Sequence, residues 1–179
     1  ATTITGLTRI VTIDDSTGFG GTATNADAET VNVTVSGLSY GSTVATQSGV
    51  TLTAANTGAD EPLEVLNITS AGSVANDFAL NAADADVVLG TVNLLGTADL
   101  TMRVVHAEVT GVTINGAENT GTVELMIDRN GATTTTTNAI NYSGIDVIAL
   151  KDSSSPGTGG DAASVASVRN GQTLKLVDD

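Results

Sequence analysis

One short unit recurs along this chain and constrains it more than any other feature. An apolar residue is followed by Asn or a polar substitute and then by a second apolar residue, in a run closed by Gly. It is read in Glu29-Thr30-Val31-Asn32-Val33-Thr34-Val35-Ser36-Gly37 and in Glu64-Val65-Leu66-Asn67-Ile68-Thr69-Ser70-Ala71-Gly72. It returns in Gly90-Thr91-Val92-Asn93-Leu94-Leu95-Gly96, in Gly111-Val112-Thr113-Ile114-Asn115-Gly116 and in Gly144-Ile145-Asp146-Val147-Ile148-Ala149-Leu150. Residues Asn32, Asn67, Asn93 and Asn115 stand 35, 26 and 22 residues apart. Periods of about 20 to 50 residues belong to chains built as stacked coils.

A second class of strand falls between these units. Examples are Val50-Thr51-Leu52-Thr53, Phe78-Ala79-Leu80, Leu100-Thr101-Met102, Val123-Glu124-Leu125-Met126-Ile127 and, closing the chain, Thr173-Leu174-Lys175-Leu176-Val177. Short runs of Val, Ile, Leu and Thr bounded by Gly, Asn, Asp and Ser are the punctuation of an all-β protein. Strong helix formers are too few, and too often interrupted, to suggest helices.

A single coil of this kind cannot bury its inward face, but stacked coils share one narrow core of aliphatic rows. Composition agrees. Aromatic residues are 2% of the 179, with no Trp, two Phe and two Tyr, so Val, Leu, Ile and Ala must fill the interior. The expected fold is therefore all-β, a right-handed parallel β-helix (solenoid) over residues 28–179. Residues 1–27, where the repeats are vague, are expected to form an N-terminal β segment or coupling region, with a sandwich-like first segment as a further option. The inward rows should include Val31, Val33, Leu66, Ile68, Val92, Leu94, Val112 and Ile114. A Ser/Gly/Pro-rich loop is expected at residues 151–161. The alternative is an Ig-like β-sandwich, which shows short alternating strands too but has antiparallel pairs and an aromatic core.

Charge excludes several functions. With 20 acidic and 6 basic residues the net charge is −14. No basic footprint exists for nucleic acid, and an anionic membrane surface repels such a chain. No run approaches the roughly 18 apolar residues of a transmembrane segment. Cysteine is absent, so packing, hydrogen bonds or metal must hold the fold. A chain opening at Ala1 with no signal peptide reads as processed, or as part of a longer one.

The residues do not point to an enzyme. His106 is the only histidine, in the strand-like Met102-Arg103-Val104-Val105-His106, which suits an outward strand position better than a catalytic device. Acidic pairs such as Asp84 with Asp86 or Glu124 with Asp128 lack the aromatic and basic company of a sugar-cleaving groove. The same oxygens suit calcium, which takes six to eight hard ligands from turns. The candidates are Asp14 and Asp15, in Asp14-Asp15-Ser16-Thr17-Gly18, and Asp84 and Asp86, in Asn81-Ala82-Ala83-Asp84-Ala85-Asp86. Asn32 and Asn67 each open an Asn-x-Thr triplet; in stacked coils they read better as an amide ladder than as glycosylation acceptors.

The repeats Leu66-Asn67-Ile68-Thr69-Ser70-Ala71-Gly72, Thr91-Val92-Asn93-Leu94 and Gly111-Val112-Thr113-Ile114-Asn115, each followed by a Thr-rich strand, resemble those of bacterial surface-layer proteins of the Caulobacter type and of RTX-like adhesins exported by type I secretion. The resemblance covers residues 28–179. It implies an extracellular, cell-surface location, calcium as cofactor, and assembly of the chain with itself into a lattice or filament. It also brings the calcium-binding nonapeptide G-G-x-G-x-D-x-U-x. Gly157, Gly159 and Asp161 match that pattern, while Pro156 replaces its first Gly and Ala163 stands where a large apolar residue belongs. Asp161 thus joins the candidate ligands. The function expected is that of a structural, self-assembling surface protein, calcium-assisted. The alternatives are an adhesin module that binds cell-surface glycan and a β-helical polysaccharide-degrading enzyme.

Overall fold

A computed structural model describes residues 2–5, 10–15, 30–40, 49–54, 61–81, 87–105, 109, 111–128, 140–151 and 172–177. For residues 2–5, 10–15, 49–54, 61–64, 87–88, 128, 151 and 176–177 it describes the backbone alone. These residues form strands β1 (Thr2–Thr5), β2 (Ile10–Asp15), β3 (Thr30–Ser36), β4 (Gly49–Ala54), β5 (Glu61–Ala71), β6 (Asn76–Asn81) and β7 (Val87–Gly96). The series continues with β8 (Leu100–Val105), β9 (Thr113–Asn119), β10 (Val123–Asp128), β11 (Asn141–Ser143), β12 (Val147–Lys151) and β13 (Thr173–Val177).

The described strands lie in two sheets, and from β1 to β12 the chain alternates between them. The first sheet has six strands in the order β1-β3-β5-β7-β9-β11; the second has seven in the order β13-β12-β10-β8-β6-β4-β2. Every strand pairing among the described residues is parallel. The Ig-like alternative needed antiparallel hairpins, and its place is taken by this parallel arrangement. Parallel neighbours cannot be joined by a tight hairpin, which is why consecutive strands from β1 to β12 fall in different sheets; β12 and β13 pair in the second sheet, with residues 152–171 between them outside the described residues. Strands β1 and β2 precede residue 28, yet they pair with β3 and β4 in the same two sheets.

Alternation within each strand sends one set of side chains into the space between the sheets. Leu66, Val92, Ile114 and Tyr142 form one buried row across β5, β7, β9 and β11, with partly buried Val31 at its β3 end. Val33, Ile68 and Leu94 form a second, and Val112 is buried just before β9. All eight residues expected to face inward therefore pack in or against the core. The second sheet contributes Phe78, Met102, Leu125 and Ile148 in one row and Leu80, Val104 and Ile127 in another. Among the described residues Phe78 is the largest fully buried side chain, which fits an interior with few rings.

The corner that leads from the first sheet to the second is built on backbone stacked against backbone. Gly96 has φ +114°, and a Cβ added there would lie 2.0 Å from the carbonyl oxygen of Ser70 one layer away. The same corner holds a polar core. Asn76 is fully buried; its Nδ2 donates to Ser70 Oγ at 2.8 Å and to the Ala71 carbonyl at 3.1 Å, and its Oδ1 accepts from the Leu38 amide at 3.0 Å. Ser70 Oγ in turn donates to the Asp99 carbonyl at 3.2 Å. One layer further, Asn119 donates to the carbonyls of Leu95 and Ala98 and accepts from the Gly121 amide. Among the described residues no buried side-chain nitrogen or oxygen lacks a partner, as native interiors require. Replacing Asn76 with Ala orphans the Leu38 amide and is expected to cost about 2–3 kcal/mol. Chemical denaturation of the pure protein measures it.

Candidate functional site

The two sheets present different outer faces. On the first, Asn32, Asn67, Asn93 and Asn115 stand side by side in register, followed by Ser143. Asn67 Nδ2 donates to Asn32 Oδ1 at 2.9 Å, and Asn93 Nδ2 donates to Asn67 Oδ1 at 2.8 Å. Ser143 Oγ donates to Asn115 Oδ1 at 3.0 Å. This is the amide ladder that the sequence spacings indicate. Each amide chain polarises the next, in the manner of stacked Asn side chains in cross-β assemblies. Flanking it is a row of Thr30, Val65, Thr91, Thr113 and Asn141. Asn67→Ala breaks two rungs, both partly in water, and is expected to cost about 1 kcal/mol, read as a fall of a few degrees in the melting temperature.

The outer face of the second sheet is charged. Arg103 on β8 donates through Nε and Nη2 to the two carboxylate oxygens of Asp77 on β6, at 2.7 and 2.6 Å. Its guanidinium carbon sits 4.4 Å from the centre of the Tyr40 ring, and Nη1 reaches Met126 Sδ on β10. Burial by itself lowers the Arg103 pKa. The Asp77 hydrogen bonds and charge, with smaller contributions from Tyr40 and Glu124, outweigh it, so the value ends above that of free arginine. Arg103 therefore stays a cation at any working pH. It staples β6, β8, β10 and the segment after β3. Lys175 and Glu124 form a looser pair at 3.4 Å. Lys cannot reproduce the planar fork, so Arg103→Lys should cost about 1–2 kcal/mol. A double-mutant cycle with Asp77→Asn isolates the pair.

Described aspartates at the corners bind backbone. Asp99 Oδ1 accepts from the Thr122 amide at 2.7 Å, and Asp146 Oδ2 accepts from the Val123 amide at 2.8 Å. These are turn-capping roles. The candidate calcium ligands stand elsewhere. Asp14 and Asp15 are the last two residues of β2, where their backbones pair with Thr53 and Ala54; their side chains lie outside the described residues. Asp84, Asp86 and Asp161 lie outside them too, as do His106 and residues 152–161 of the expected loop, while Lys151 closes β12. Among the described residues no group of three or more His, Asp or Glu side chains is gathered. No helix among them is long and apolar enough to cross a membrane.

Sequence reasoning missed the Arg103 cluster. Its signal was faint: one of only six basic residues placed inside an apolar strand, where a cation needs a partner.

The end of the stack marked by β13 differs from the rest. The row Phe78, Met102, Leu125 and Ile148 continues in register to Leu174. The first four are fully buried, whereas Leu174 is 48% exposed. The second sheet has seven strands against six, and β13 is its edge strand, with no strand of the first sheet opposite it among the described residues.

Comparison with protein-family models, with curated proteins and with solved structures returns no match.

Proposed function

We propose that this chain is a right-handed parallel β-solenoid that assembles with itself, as the structural subunit of an extracellular surface layer or filament. The alternation of parallel strands between two sheets supports the solenoid, and the right-handed rule for parallel crossovers supports its hand. The observation that carries assembly is Leu174, an apolar residue of the core row left half in water on an edge strand. Edge strands offer unpaired amides and carbonyls to another chain unless they are blocked. Contact between unlike ends is heterologous and propagates into open filaments. The resemblance to surface-layer and RTX-like proteins supports this reading and implies a location outside the cell.

Among the described residues the outer faces, with their ladders and ion pairs, offer repeated polar surface. That arrangement favours a structural role over catalysis. Leu174→Glu puts a charge at the edge position and should keep the chain monomeric in sedimentation velocity at concentrations where the parent sediments as large species. A parent chain that stays monomeric while binding glycan would transfer the assignment to the adhesin alternative.

Calcium belongs to the same proposal. Repulsion within a chain of net charge −14 opposes the compact state, and cations bound only by the folded form stabilise it by mass action. Asp14, Asp15, Asp84, Asp86 and Asp161 are the ligands to test. Chelation should lower the melting temperature relative to a control at matched ionic strength, because monovalent salt screens charge by itself. Equal melting in both samples removes calcium from the account.

A further inference from the structure

Among the described side chains, the outward face of the first sheet is nearly free of charge on a strongly acidic protein; Glu61 and Glu64 stand at the start of β5, where the backbone alone is described. Over residues 30–36, 65–71, 91–96, 113–117 and 141–143 it carries only Thr, Asn, Ser, Val, Leu, Ala and Gly. Glu118, at the irregularity of β9 beside Leu95, borders it. The opposite sheet carries Asp77, Arg103, Glu124 and Lys175 on its outer side. Two copies of a −14 chain repel wherever carboxylates meet, so close approach without burying charge favours the neutral face.

The ladder also leaves unused hydrogen-bonding capacity. An Asn amide has two N–H donors and two acceptor sites. A rung such as Asn67 uses one donor and one acceptor along the row, and the threonine hydroxyls beside it donate or accept. The face is therefore complementary to itself under a twofold rotation, the requirement for an isologous contact.

We infer that this face is a lateral docking surface for the same face of a second copy of the chain. The inference rests on the self-assembly proposed above and adds the direction across the filament. Size sets its behaviour. Five strands spaced about 4.8 Å apart, with two to four outward positions each, make a patch of about 19 by 14 Å. That is well below the roughly 800 Å² per partner of a standard stable interface. A single contact is weak, and rows of contacts between two filaments act together. Lateral association therefore belongs to filaments and is absent between monomers.

The test places charge on the exposed threonines while leaving the ladder intact. Thr30→Glu/Thr113→Glu should yield single filaments by negative-stain electron microscopy where the parent forms laterally joined ones. Thr30→Lys/Thr113→Lys should do the same, although it lowers the net negative charge. Mixing preformed filaments of the two variants should restore lateral joining, because unlike faces then meet. Circular dichroism checks that each variant keeps the parent's melting curve. Parent filaments that remain single, or variants that join as the parent does, overturn the lateral contact and leave the filament. Joining by the Lys variant alone makes the effect one of net charge and also overturns it. A parent that forms no filament overturns the proposed function itself and this contact with it.

Discussion

Gly96→Ala should destabilise the protein by about 4 kcal/mol or prevent folding. Two effects add. A side chain at φ +114° costs on the order of 1–3 kcal/mol in backbone strain. The new Cβ would also sit 2.0 Å from the Ser70 carbonyl oxygen, with that residue's backbone carbon and nitrogen both at 2.9 Å. Backbone cannot swing aside as a flexible side chain can, so the two layers must separate at this corner. The melting temperature should fall by about 10 °C or more. Gly111 supplies the control within the same chain. Its φ is +82°, but a Cβ there meets nothing within 4 Å. Gly111→Ala should therefore cost strain alone, about 1–2 kcal/mol. Equal losses for the two variants would mean that layer contact plays no part in the Gly96 corner.

Phe78→Ala should cost about 3–5 kcal/mol, the range for deleting a buried aromatic ring. The core between the sheets is narrow and otherwise mainly aliphatic, so little nearby volume can collapse into the gap. Met102 is its neighbour in the row and the most adaptable side chain there, which sets the cost toward the lower end. Leu174→Ala removes a side chain from the same row, but one that is half exposed. It should cost under about 1 kcal/mol in the monomer and show its effect in assembly. Thermal denaturation at low protein concentration separates these two variants. Similar losses would contradict the open end of the row.

What was legible in the sequence followed from periodicity. Asn32, Asn67 and Asn93 were visible as a repeat, and in parallel register a repeat becomes a ladder; the inward rows follow from the same alternation. The parallel pairing was favoured by the recurrence itself, because stacked coils set each copy of the unit beside the next in the same direction. The polar corner was less legible. Asn76 reads as an ordinary turn residue, yet it is buried because it reaches the Leu38 amide 38 residues earlier in the chain. Arg103 and Asp77 are 26 residues apart, a partnership that appears only when the layers are in register. Exposure of Leu174 was not legible at all. Its sequence context, Thr-Leu-Lys-Leu-Val, matches that of any buried strand, and only its place at the sheet edge sets it apart. Metal ligation depends on which oxygens converge in space, and Asp14, Asp15, Asp84, Asp86 and Asp161 were chosen by residue type and local spacing.

The central claim is end-to-end assembly that continues the second sheet from β13 of one copy to the next. Electron microscopy of the purified chain with calcium, with the axial repeat measured from averaged images, tests it most directly. The seven described strands of the second sheet, at about 4.8 Å each, predict an axial repeat near 34 Å, with Leu174→Glu abolishing the filaments. A parent chain that stays monomeric, or filaments that form equally well with Glu at position 174, would contradict the account.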